Sequence, residues 1–504
     1  MFPCSFYNSR YRTLFVSAGK IRTRSLLDSH GRGIIFSRRF SCDTSSSAQA
    51  KATPKALAAD IPVEEERNPG YNPKNFYHPN PGEVLDGKYE LKVKLGYGSS
   101  STVWLAQDIR RRWGAKPYVA IKIDTCDFHD QAAAGHEAEI SNHIKSAKPD
   151  DPGLLFVRTV DESFEISGPN GSHLCLVFEP MREPIWLLRR RLGLDSVTKE
   201  SLPLFKLYII VLLGGLDYLH TKCKIIHTDL SLNNILVTFE DTSVIDAFVQ
   251  AQAREPMPRK VLDDRTVYLS HNNFGNLKLI GDELPFKDIF PKITDFGLAQ
   301  RGDEQEPLIF PIQAHHCRAP EVMLGTGWSY SADVWNFGVM IWELLAGEDL
   351  FQKLDGGEGT YSALHHLAGM VALVGPIPAA LVQRERDMRH WRWAPEILND
   401  KGELRNNAAD FFGGPFFDDH GESFRSPIRL WQTLYAHVGQ FVGRNVIPRG
   451  RNLKDTLPRC IDDEEADLFL SFMRRTLCWL PEERATAEEL QKHPWLGRHW
   501  HVCA

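Results

Sequence analysis

The residues that could do chemistry fall in a fixed order along the sequence. Lys122 ends the apolar run Val119-Ala120-Ile121. A lysine ending a short apolar strand points a cation into a cleft, where it can pair the α- and β-phosphates of a nucleotide and a helix carboxylate. Farther on comes His227-Thr228-Asp229-Leu230-Ser231-Leu232-Asn233-Asn234. Asp229 there can accept the proton of an attacking hydroxyl, and the Asn234 amide can hold a magnesium ion. Asp295-Phe296-Gly297 sets another carboxylate on a Gly-hinged loop, suited to the magnesium that bridges phosphates. Upstream, Leu95-Gly96-Tyr97-Gly98-Ser99-Ser100-Ser101-Thr102-Val103 is a GxGxxG-like turn with Ser101 in place of the third glycine. Gly96 and Gly98 let the backbone approach phosphates without a Cβ clash. The set implies ATP and Mg2+ as ligands and phosphoryl transfer as the reaction, driven by positioning and charge stabilisation.

Elements of two kinds must position these residues. Tyr89 to Leu95 and Thr102 to Gln107 alternate as strands around the Gly turn, and Tyr118 to Ile123 is a further short strand. His136 to Ala147 reads as a helix carrying Glu137 and Glu139, either of which can orient Lys122; Glu137 is preferred. Leu174 to Phe178 reads as a buried strand. After Pro184 the pattern turns helical: Leu202 to His220 is apolar at helical spacing, and Val334 to Leu345 is apolar nearly all round, as a fully buried helix is. The fold class expected is α+β, a bilobal arrangement of a small β-rich N-lobe and a large α-helical C-lobe.

Ala319-Pro320-Glu321 and the distant Arg484 suggest a buried ion pair beneath a substrate platform, a structural role. The segment from Phe296 to Gly325 contains no Ser, Thr or Tyr, and Thr228 occupies the place of the arginine that usually pairs with a loop phosphate. Both halves of the usual phosphate switch are missing.

Composition agrees with a soluble globular chain: 504 residues, 42% hydrophobic, 25% charged, net charge −6. That balance argues against a dedicated nucleic-acid binder. The nine scattered cysteines form no CxxC pair, which suggests a reduced intracellular protein without zinc. Leu207 to Leu216 is too short to span a bilayer and reads as a buried helix, so no membrane association is expected. Near the start, Arg10, Arg12, Lys20, Arg22, Arg24, Arg32, Arg38 and Arg39 face only Asp28 and Asp43. This has the composition of a mitochondrial presequence over residues 1–48, and equally of a basic disordered tail.

The residues are specific enough to name a resemblance. Pro79, Gly82, Gly87 and Tyr89 leading into Lys94-Leu95-Gly96-Tyr97-Gly98 and Ser101-Thr102-Val103-Trp104-Leu105 resemble the start of the SR-protein kinases. Leu176-Val177-Phe178-Glu179-Pro180-Met181 is similar to their hinge, and His227-Thr228-Asp229 to their catalytic loop. The resemblance implies a serine/threonine protein kinase. Its gatekeeper would be Phe178. Leu95, Val103, Ala120 and the backbones of Glu179 and Met181 would hold the adenine end of ATP. The glycine loop of Gly96, Gly98 and Ser101, with Lys122 and Glu137, would hold the phosphates. Asn234 and Asp295 would hold magnesium, and Asp229 would be the base. Arginine- and serine-rich splicing factors are such enzymes' usual substrates, acted on in cytoplasm and nucleus, here by a monomer.

On this basis residues 1–60 are expected as tail or transit peptide, 61–88 as linker, 89–181 as N-lobe and 182–500 as C-lobe. The C-lobe would contain a spacer at 238–291 and a helical insert at 352–455, marked by His366 to Met370 and Gly402-Glu403-Leu404-Arg405. Two positions depart from the family. Ser231 stands where a lysine touches the transferring phosphate, and Asp295 is followed by Phe-Gly-Leu-Ala rather than Leu-Gly-Asn-Ala. Ser231 leaves open a nucleotide-binding pseudokinase. A small-molecule kinase would lack the Ala319-Pro320-Glu321 platform.

Overall fold

The computed structural model describes residues 53–497 apart from 69, 112–116, 188–196, 276, 278–288, 305–307, 358 and 419–438. The basic segment 1–48 lies outside the described residues, as does part of the spacer. The described residues form two compact units, the first from those within Met1–Ser146, Val157–Pro184 and Leu236–Gly297, the second from the rest.

The first unit is built on a six-stranded sheet. Its strands are β1 (Val84–Leu85), β2 (Tyr89–Tyr97), β3 (Ser101–Asp108), β4 (Tyr118–Asp124), β5 (Val160–Ser167) and β6 (Ser172–Phe178), in the order β1-β2-β3-β4-β6-β5. All neighbours are antiparallel, and the β2–β3 register carries bulges at Leu91/Val93 and Lys94/Gly96. Helix α1 (Phe128–Ala147) follows β4.

Register sorts the side chains to two faces. Lys122 lies opposite Val103, and Val103 opposite Gly96. On this face Ala120, Val160, Leu176 and Phe178 form an apolar cluster joined by Leu95, Val103 and Ala138. Lys94 lies opposite Trp104, and Trp104 opposite Ile121, on the other face.

That second face is covered by two segments expected to be accessory. Val244, Ile245, Phe248, Met257, Tyr268 and Phe274, from residues 239–275, share a core with Leu91, Val93, Trp104 and Val177. The sequence reading set this spacer within the helical lobe; its described part packs with the sheet, because its helix Ser243–Ala251 is amphipathic and needs an apolar partner. The described residues before β1, from 53 on, also pack against the first unit. Ala56 bridges Arg259, and the Leu57 N–H donates to Arg259 O at 2.9 Å, so the last residues of the expected tail pair with the spacer. Lys94, fully buried, meets Glu65 at 2.6 Å, Glu64 at 2.9 Å and the Tyr268 carbonyl at 3.0 Å. Lys260 meets Glu66 at 2.5 Å. Buried charges of this kind persist only when paired and hydrogen-bonded.

The second unit is helical. Helix α2 (Leu202–Asp217) continues into a turn, Tyr218–Cys223. By length and composition Leu202–Cys223 is apolar enough to cross a membrane, contrary to the shorter run counted in the sequence, but 83% of its most apolar window is buried within the protein. Helix α3 (Tyr330–Ala346) is buried almost all round and ends at Gly347, whose φ of 81° supplies the left-handed cap. The insert contributes α4 (Ala363–Val374), capped by Ser362, and α5 (Ala379–Met388). Helix α6 (Asp463–Thr476) has Asp462 as N-cap, acids in its first turn and Arg474 and Arg475 in its last, each favoured by the helix dipole.

Phe248 contacts Phe274 with ring centroids 4.4 Å apart. Phe248→Ala is expected to destabilise the first unit by about 3–5 kcal/mol, as for other buried Phe truncations. Denaturant unfolding of the full chain checks it. An unchanged midpoint would mean that the spacer is a dispensable insertion.

Candidate active site

The candidate residues fall in both units. In the first, β4 is flanked in register by β3 and β6, so Lys122 is held on a strand paired on both sides. Helix α1 brings the Glu137 Oε2 to 2.7 Å from Lys122 Nζ. Glu139, two residues on, is exposed; at helical spacing the two cannot share a face. Asp124 lies 4.0 Å from Lys122 Nζ. Burial alone would lower the lysine's pKa, but Glu137, Asp124 and Asp295 outweigh it and hold the pKa above its ordinary value. Lys122 is therefore a permanent cation.

Asp295 adopts the left-handed region at φ 68°, unusual for a residue with a Cβ. A Cβ at Gly297 would lie 3.6 Å from Asp295 Oδ1 and 3.8 Å from Glu137 Oε2, so a bare glycine here leaves room beside both carboxylates.

At the end of β6 the chain passes through Phe178, Glu179 and the buried Met181. Sequence reasoning missed what lies beneath. Arg158 donates from Nε to the Glu179 carbonyl at 2.9 Å, and its guanidinium sits 4.5 Å from the Phe178 ring centroid. Burial depresses its pKa to about 10, against the pull of Glu179, Glu137 and Asp161. The Glu179 carboxylate is met by Lys292 Nζ at 2.6 Å. No motif flags Arg158; only the β-bridge of Val157 to Ile293 sets it under the hinge.

In the second unit the loop from His227 to Asn234 is hung from one carboxylate. Asp333, wholly buried on α3, accepts the backbone N–H of His227 at 2.7 Å and of Thr228 at 2.9 Å, and faces His220 Nε2 at 2.9 Å. Thr228 is thereby held at φ 67°. Its hydroxyl donates to the Leu298 carbonyl at 2.8 Å, tying the loop directly to the start of the activation segment. Asn234 Nδ2 donates to both the backbone oxygen and the Oδ2 of Asp229, each at 2.9 Å. The other polar atom of the Asn234 amide is an oxygen, the kind of ligand magnesium prefers. Asp229 and Ser231 are half-buried.

The described part of the activation segment is held by side-chain hydrogen bonds to the backbone. Gln313, at φ 71°, accepts from Ala319 N at 2.7 Å, donates to Ala332 O at 3.0 Å and also bonds Asn336. Arg318 donates to Gln313 O at 2.8 Å and Ile312 O at 3.1 Å, and packs against Tyr361 and Phe412 of the insert. Beneath it Arg484 grips Glu321 through two bonds, at 2.5 and 2.7 Å, both side chains fully buried. That is the pair anticipated from the sequence. The Gln313 network was not anticipated, because a glutamine in a loop carries no signal until its partners are placed.

Two outcomes follow. Thr228→Ala should lower kcat about two- to tenfold, the worth of one hydrogen bond, and Thr228→Ser should restore it. Phosphatase treatment should leave the rate unchanged, and a loss of activity on dephosphorylation would contradict this account of the segment.

Comparison with known proteins gives the family. The family model described as protein kinase domain matches residues 284–496. A serine/threonine protein kinase of Aspergillus fumigatus is 30% identical over 440 residues, covering 87% of this chain and 92% of that one. The serine/threonine-protein kinase SRPK of Physarum polycephalum is 30% identical over 433 residues, covering 84% of this chain and 89% of the relative. Among solved structures, the crystal structure of a kinase domain superposes with a TM-score of 0.54 at 22% identity, over 84% of this chain and 99% of that chain, a likeness of fold. Protein kinases as a family use ATP with Mg2+. The chain belongs to the eukaryotic serine/threonine protein kinases, among the relatives of the SR-protein kinases.

Proposed function

We propose that this kinase phosphorylates Ser or Thr in basic, arginine- and serine-rich protein segments, of the kind splicing factors carry. The observation that carries the catalytic reading is the hold of Asn234 on Asp229, which fixes the carboxylate's Oδ2 at 2.9 Å from the amide nitrogen. Asp229 takes the proton of the substrate hydroxyl. Lys122 holds the α- and β-phosphates and Glu137 orients Lys122. The backbone of the loop through Gly96, Gly98 and Ser101 lies over the phosphates. Leu95, Val103 and Ala120 offer the apolar surface for adenine, and the Glu179 and Met181 backbones its hydrogen bonds. The oxygen ligands Asn234 and Asp295 suit magnesium, which when bound neutralises charge on the transferring group.

Family likeness and a net charge of −6 support a basic substrate. The same likeness supports a cytoplasmic and nuclear location and a monomeric state. A peptide array with purified protein tests the substrate class. Arg-rich peptides should lead, with rates falling as salt rises; a preference for acidic or proline-directed peptides would remove it. Lys122→Met or Asp295→Ala should abolish transfer and leave the unfolding midpoint near wild type. Full activity of either would overturn the site.

One observation favours a second reading, a weak or inactive enzyme. Ser231 brings a hydroxyl where the family has a cation. The loss of one such contact costs about 2–4 kcal/mol in transition-state stabilisation, by analogy with an oxyanion-hole donor. That is about a hundred- to thousandfold in rate. The remaining groups still compensate most of the charge, so a slow enzyme is expected. Ser231→Lys should raise kcat more than it changes the KM for ATP. Binding of Mg-ATP with no transfer to any peptide would establish the pseudokinase.

A further inference from the structure

The chain before the sheet reaches the glycine loop itself. The Asn68 Nδ2 donates to the Gly98 carbonyl at 2.8 Å, across thirty positions of sequence. The segment carrying Asn68 is pinned on both sides. Upstream, Glu64 and Glu65 meet the buried Lys94 of β2. Downstream, the Asn75 carbonyl accepts the Cys126 N–H at 2.8 Å, just past the end of β4. Asn68 itself sits in a turn, its N–H bonded to Glu65 O at 3.1 Å and its carbonyl accepting from Tyr71 N at 3.1 Å. The donor is thus preorganised rather than a loose surface amide.

The loop is fixed from the other direction as well. The Gly98 N–H donates to Ser101 O at 2.8 Å, and the Ser100 carbonyl accepts from Thr125 N at 2.9 Å. Lys94 also stands over the Tyr97 ring, 5.7 Å from its centroid. Both polar groups of Gly98 are therefore bonded, and the second of them depends on Asn68.

The consequence comes from peptide planarity. In a trans peptide the C=O and the following N–H point in opposite directions. Glu64 and Glu65 engage Lys94 on the sheet face opposite Lys122, so a Gly98 carbonyl drawn toward that segment turns the Ser99 N–H the other way. We propose that Asn68 is a positioning residue for the phosphate-covering loop: it holds the Gly98 carbonyl so that the Ser99 N–H is directed to the Lys122 face as a phosphate donor. The inference rests on the reading that this loop covers the phosphates.

The test measures nucleotide binding by the full chain. Wild type, Asn68→Ala and Asn68→Asp are titrated calorimetrically with adenosine, Mg-ADP and Mg-ATP, and KM is measured for ATP and for peptide. Both variants should bind Mg-ATP and Mg-ADP about three- to tenfold more weakly, the worth of one hydrogen bond, and bind adenosine as wild type does. The KM for ATP should rise and that for peptide stay constant. Asn68→Asp should be the worse, because its carboxylate faces a carbonyl. Equal weakening of adenosine and ATP would mean a merely structural role and overturn the proposal. Variants that keep the full phosphate gain of wild type would overturn it too. If wild type binds ATP no better than adenosine, the assignment of the loop falls first and the proposal with it.

Discussion

A carboxylate that no water reaches, that of Asp333, is the constraint on which the catalytic loop depends. Isolated in a helix core, such a charge would cost several kcal/mol. It is stable here because His227 and Thr228 give it their backbone N–H groups and His220 faces it. The bonding runs both ways. The loop satisfies the carboxylate, and the carboxylate holds Thr228 in a left-handed conformation that a β-branched residue otherwise avoids. With Thr228 so placed its hydroxyl reaches Leu298, and Asp229 and Asn234 follow at fixed offsets. Many kinases join loop and activation segment through an arginine and a phosphate. In this chain a threonine hydroxyl joins them, and a glutamine amide ties the activation segment to α3, both through neutral hydrogen bonds. Such bonds are short and directional, and salt screens them less than it screens ion pairs.

The sheet unit uses buried charge differently. Lys94, Lys260 and Arg182 are all almost wholly enclosed, and each meets carboxylates from segments distant in sequence. Replacing such pairs by apolar residues is often neutral for stability, whereas removing one partner leaves a buried charge uncompensated. These pairs join Glu64, Glu65 and Glu66 and the spacer to the sheet face that carries Val93 and Trp104. What resembled a linker and an insertion is the outer layer of the unit that carries Lys122.

Lys122 is fixed as a cation by three carboxylates, and Asp295 stands in a strained conformation beside it. On the proposed reading, this organisation keeps most of the field that phosphoryl transfer uses even where Ser231 brings no charge.

The candidate site residues were proposed from the sequence by motif. Lys122, Asp229, Asn234 and Asp295 each stand in a short motif whose chemistry requires that residue at that offset, and their strand and loop settings came from local periodicity. The choice of Glu137 over Glu139 was narrowed by spacing, and the helix's orientation to β4 decided it. Glu321 and Arg484, far apart in sequence, were paired from motif alone. Other features could not be read in this way. Arg158 under the hinge, Gln313 among Ala319, Ala332 and Asn336, and Asn68 on the Gly98 carbonyl have ordinary local sequences. The spacer's helix was hidden because its apolar stripe makes sense only against a sheet face formed by residues far upstream. Periodicity and motif report what a segment needs, a partner for its apolar face or a ligand for its charge. Which segment supplies that need is a long-range choice among many of similar local energy, and only the folded chain makes it.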